Sequence, residues 1–107
     1  MKTLFACSLL LMSVPAIADV VAAPKANITS VAGYEEFAGG AVFVFLDQNH
    51  PSCPDGAYIN PSTPGAKSLI AIALSALMGS KQVLVQMFTD RIQAGRCEVQ
   101  GIQVYPN

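Results

Sequence analysis

Residues 64–88 read PGAKSLIAIALSALMGSKQVLVQMF, and the fold is decided there. Thr63 offers a side-chain oxygen to the unpaired amides of a helix start, and Pro64 suits the first helical position because its missing N–H is not needed there. Ala66 to Met78 contains no helix breaker, and Gly79 stands where a left-handed residue would close the helix. Residues 79–81 then make a tight reversal into residues 82–88, a run rich in β-branched and aromatic side chains. The stretch predicts a helix, a short turn and a strand.

Little of that helix is polar. Ala66, Leu69, Ile70, Ala73, Leu74 and Leu77 follow the spacing of one core-facing stripe. Ile72, Ala76 and Met78 fall outside it, and the only polar residues left for water are Lys67, Ser68 and Ser75. So narrow a wet strip predicts a helix covered on two sides. In a domain this small the second cover is another copy of the chain, with Ile72, Ala76 and Met78 as the contact residues.

Outward from the helix, the N-terminus carries an export signal. Met1 and Lys2 form a short basic start, residues 4–14 are apolar, and Ala16 and Ala18 place small residues where a signal peptidase reads. Cleavage is expected after Ala18. The apolar run is well short of the roughly 20 residues that cross a bilayer, and no later segment qualifies as a span. The chain therefore divides into a signal peptide (1–18), a flexible leader (19–26) and one small domain (27–107), exported to the periplasm or beyond. Beyond the signal there are five basic residues (Lys25, Lys67, Lys81, Arg91, Arg96) against seven acidic ones, with no basic patch for nucleic acid.

Removal of the signal takes Cys7 with it and leaves Cys53 and Cys97. In an exported protein such a pair is a disulfide by default. The rest of the domain reads as strands. Residues 27–31 make a first strand, and residues 41–46, apolar throughout, make a central one covered on both faces. A polar loop over residues 47–56 holds Cys53, and residues 57–60 form a short third strand. After the helix and the strand at 82–88, residues 89–95 read as a loop and residues 99–105 as a closing strand, with Gly101 at a bulge. The order is strand, strand, strand, helix, strand, strand. That is the order of a five-stranded OB-type barrel; an open α+β sheet covered by one helix uses the same elements.

Catalytic chemistry is sparse. His50 is the single histidine, in a Pro-rich loop beside Asn49 and near Asp47, and no nucleophile accompanies it. It reads as a loop residue, with ligand binding as its functional alternative. Asp47, Asn49, His50 and Tyr58 are the candidate ligand contacts; Asp47, Asn49 and Asp55 lack the spacing of a calcium loop. No metal or cofactor is expected, and the chain reads as non-enzymatic.

The cysteine in a loop, the short strand, the Ala/Leu-rich helix ending at residues 78–81, the strand at 83–85 and the second cysteine at 97 resemble the small secreted proteins related to subtilase-cytotoxin-type B subunits. The resemblance spans about residues 46–104. It implies an OB-fold that assembles as a pentamer around its helices and binds sialylated glycans for a toxic partner subunit. It assigns no sugar contact to any residue here. The alternative in another class is a monomeric periplasmic inhibitor or accessory protein docking through residues 47–58.

Overall fold

The computed structural model describes residues 20–106; the signal sequence expected over residues 1–18 lies outside them. Six strands and one α-helix follow in order: β1 (Val20–Ala22), β2 (Ala26–Gly33), β3 (Val42–Leu46), β4 (Ala57–Ile59), α1 (Ala66–Met78), β5 (Gln82–Gln93) and β6 (Arg96–Val104). A 3-10 turn at Phe37–Gly40 precedes β3. The sheet order is β1-β5-β2-β3-β4-β6, and β5 also pairs with β6. Five strands, β2 to β6, thus close on one another in a ring, and β1 lies along β5. All pairings are antiparallel except β4 with β6, which runs parallel.

The core fills the ring. Val44, Ile59, Val83, Val85 and Met87 are fully enclosed, and the Cys53–Cys97 disulfide, with Cα atoms 5.5 Å apart, is buried among them. Alternation along β5 sends Val83, Val85 and Met87 inward and leaves Gln82 and Gln86 outside, as a strand with one buried face requires. On β3, Val44 and Leu46 enter this core while Phe43 is buried on the opposite face, against Ala41 and Tyr58 with Phe45 alongside. The apolar run at 41–46 is therefore covered on both sides, as its composition predicts.

The structure corrects the expected five strands to six. The additional strand is β1, inside the segment expected to be a flexible leader. Val20 and Val21 are β-branched and pair with Phe88 and Met87, the Ala23 amide donates to the Val85 carbonyl, and Ala23 and Ala26 are buried. Nor are residues 89–95 a loop. β5 runs on to Gln93, and the reversal into β6 is only Ala94 and Gly95, both at positive φ (51° and 77°), as a two-residue primed hairpin turn demands.

The helix begins at Ala66, two residues later than the Pro64 start expected. No side chain caps it; the Thr63 hydroxyl donates to the Asn60 carbonyl instead. At the other end Gly79 has φ −90°, and Ser80, at φ 52°, takes the left-handed conformation. The Lys81 amide then reaches back to the Ala76 carbonyl and closes the last turn. The buried stripe is also turned. Ala66, Ala73 and Ala76 face the core with Leu69, Ile70 and Leu77 at its margins, whereas Leu74, expected inside, is 43 % exposed. Small side chains on the inner face let α1 lie close over β2, β6 and β4.

Candidate binding cleft

Register builds the most developed polar site on the outer face of the ring. Phe43 of β3 pairs with Tyr58 of β4, Tyr58 pairs with Glu98 of β6, and Glu98 pairs with Phe88 of β5. The parity follows from the sequence: Cys97 and Val99 point into the core, so Glu98 between them points out. Glu98 is nevertheless only 5 % exposed. Its Oε1 accepts hydrogen bonds from the Tyr58 hydroxyl and from Asn60 Nδ2, both at 3.3 Å, and its Oε2 lies 3.2 Å from Arg91 Nη1. A buried carboxylate without such partners would be strongly unfavourable, so these donors are what permits a charge here.

Arg91 reaches Glu98 through a defect in the strand. Phe88 opposes Glu98 and Ile92 opposes Cys97, so residues 89–91 bulge out between two consecutive partners. The bulge brings the guanidinium 4.1 Å above the Phe88 ring and beside the carboxylate. Burial raises the Tyr58 hydroxyl above its ordinary pKa, and the neighbouring Glu98 charge raises it further, so Tyr58 stays a donor throughout the neutral range.

Beside this network lies a shallow cleft of about 260 Å³ between the start of α1 and strands β5 and β6. Thr63, Gly65 and Leu69 form one side; Phe88, Arg91, Glu98, Val99 and Gln100 form the other. Gln100 is the extra residue of a second bulge, where Gln86 opposes Gly101 and Met87 opposes Val99, so Gly101 does flank a bulge as expected.

The residues singled out from the sequence divide between this network and the loop after β3. Asp47 Oδ1 accepts the Asn27 amide at 2.9 Å, and His50 Nδ1 accepts the Ser52 amide at 3.0 Å, so both side chains hold the backbone of β2 and of the loop. Asn49 Oδ1 is buried without a hydrogen-bond partner among the described residues. Tyr58 belongs to the Glu98 network. Of the helix residues, Ala76 is enclosed by the chain's own core, Ile72 is half-buried and Met78 is 83 % exposed. Ala76 is thereby corrected: the turned stripe places it inside, out of reach of a second copy.

Glu98, Arg91, Asn60 and Phe88 were missed. The parity of a strand carrying the fixed Cys97 could have placed Glu98, but nothing local announces the bulge that delivers Arg91. Among the described residues no group of three or more His, Cys, Asp or Glu is placed to hold a metal ion, and no helix is long and apolar enough to cross a membrane. Comparison of the chain with protein-family models, with characterised proteins and with solved structures finds no match.

Proposed function

We propose that this chain is an exported, non-enzymatic binding domain of OB type that recognises a glycan. The carrying observation is the closed ring β2-β3-β4-β6-β5 with its helix inserted between the third and fourth ring strands. That is the connectivity of the five-stranded OB barrel, a scaffold that binds oligosaccharides and oligonucleotides on its surface. The chain's slight acidity disfavours the oligonucleotide. Export is supported by the signal-like residues 1–18 and by a buried disulfide, which persists in oxidising compartments. Self-association through α1 is part of the same reading. Its support is an outward face on which Leu74 and Met78 are exposed large apolar residues.

A second reading rests on the loop between β3 and β4. Cys53 pins it through the disulfide, while Asp47, Gln48, Pro51, Ser52, Pro54 and Asp55 are exposed. A rigid exposed loop of this kind serves an inhibitor or accessory protein that docks on another protein.

Glycan-array binding of the disulfide-bonded protein, with light scattering at micromolar concentration, separates the two. Retention of defined glycans by an oligomer is the expected result. A monomer that retains none would sink the glycan reading and leave the docking loop.

A further inference from the structure

We infer that the cleft between the start of α1 and strands β5 and β6 holds a single neutral pyranose ring, whose hydroxyls donate to Glu98, accept from Arg91 and do both with Gln100. The assignment rests on the glycan-binding reading and gives it a place and a ligand class.

Size sets the first limit. At about 260 Å³ the cleft lies below the roughly 300–1,000 Å³ of pockets for drug-sized ligands, and accommodates one small ring. Its walls set the second. Leu69, Val99 and Phe88 are apolar, while Thr63, Arg91, Glu98 and Gln100 are polar. A pyranose has the matching character, with C–H groups on its faces and hydroxyls around its rim.

Hydrogen-bonding capacity supports the same ligand. A carboxylate has about four acceptor positions. Glu98 uses three, for Tyr58, Asn60 and Arg91. A guanidinium carries five N–H groups, and Arg91 gives one to Glu98. Gln100 is exposed at the mouth and supplies both a donor and an acceptor. Hydroxyl groups donate and accept at once, so a sugar satisfies this mixture where an ion cannot.

Charge decides against an acidic sugar. Glu98 and Arg91 neutralise one another, so the cleft has no net charge to offer an incoming anion. A ligand carboxylate drawn to the remaining N–H groups of Arg91 would lie beside the Glu98 carboxylate, and two like charges so close repel one another. A neutral ring leaves the ion pair intact.

The test follows backbone amide resonances of the disulfide-bonded protein during titration with methyl β-galactopyranoside, methyl α-glucopyranoside, N-acetylglucosamine and, as the charged comparison, N-acetylneuraminic acid. A neutral sugar is expected to shift Gly65, Leu69, Val99 and Gln100, and to bind about tenfold more weakly to Arg91→Met and Gln100→Ala. Gln100 is exposed, so its variant keeps the test independent of any damage to folding by the Arg91 change. Shifts confined to other surfaces, unchanged affinity in Gln100→Ala, or tightest binding by the acidic sugar would overturn the assignment. Glycans retained on an array without shifts at the cleft overturn this site alone; no sugar bound in either experiment overturns the glycan reading with it.

Discussion

Ala94 sits at φ 51° beside Gly95 at φ 77°. The left-handed region costs an L-residue about 1–2 kcal/mol, and asparagine tolerates it best of the non-glycine residues. Asn-Gly is also the preferred pair for this turn. Ala94→Asn is expected to stabilise the fold by up to about 1 kcal/mol, read as a higher urea midpoint at unchanged slope. Gly56 has the opposite sensitivity. At φ 110°, with an added Cβ only 2.8 Å from the Val44 carbonyl oxygen, it has no room for a side chain. Gly56→Ala is expected to destabilise by about 2 kcal/mol or more in the same measurement.

Tyr58 gives a pH prediction at the same scale. Its pKa is raised in the folded state, by burial first and Glu98 second, so the folded chain holds the phenolic proton more tightly than the unfolded chain. The stabilisation is complete below the unfolded value of about 10 and is lost as pH rises through the higher folded value. Thermal midpoints should therefore fall faster above about pH 9.5 in the wild type than in Tyr58→Phe. The variant itself should lose about 1 kcal/mol at neutral pH through the missing hydrogen bond to Glu98. Equal alkaline slopes would show that Tyr58 ionises as freely folded as unfolded.

Among the elements, α1 was legible in extent and illegible in rotation. The breaker-free run and its glycine stop locate the helix, but helical spacing cannot rank one apolar face above another when almost every position is apolar. The sheet beneath selects the face rich in alanine, because Ala66, Ala73 and Ala76 permit close approach that leucine does not. That gives two opposed expectations. Ala73→Leu forces extra methylenes into a closed interface and should destabilise by about 1–3 kcal/mol. Met78→Glu alters a residue 83 % exposed and should leave stability within about 0.5 kcal/mol. If α1 carries the self-association proposed above, the same change should also reduce it in sedimentation experiments. An unchanged oligomer would place the contact elsewhere than on this face.

At the scale of the whole molecule, strand partners are chosen between distant residues, and local pattern does not encode them. Val20 and Val21 carry strand propensity, yet only the free edge of β5 at residues 86–88 makes them a strand. Likewise the closure of β5 on both β2 and β6 is a property of the assembled ring. What the sequence did expose was the cysteine pair, and the ring explains why it matters. The disulfide spans 44 residues and joins the loop before β4 to β6, beside the parallel pairing of β4 with β6, in which Ala57 faces Cys97. Those two strands are separated in the chain by α1 and the whole of β5, so an unfolded chain has a long loop to close before they meet. The chain-entropy estimate for such a loop is about 4 kcal/mol, against roughly 5–15 kcal/mol for the net stability of a typical domain. Cys53→Ala with Cys97→Ala is accordingly expected to lower the unfolding free energy by about 4 kcal/mol and to leave the chain marginal at 37 °C. Because both sulfurs are fully buried, a small thiol should reach them only through opening of the ring. Reduction by dithiothreitol is then expected to be slow in native buffer and to accelerate with urea in step with global unfolding. Rapid reduction in native buffer, with the ring still folded by circular dichroism, would show instead that the loop at Cys53 opens without the ring and that the bond fastens only that loop.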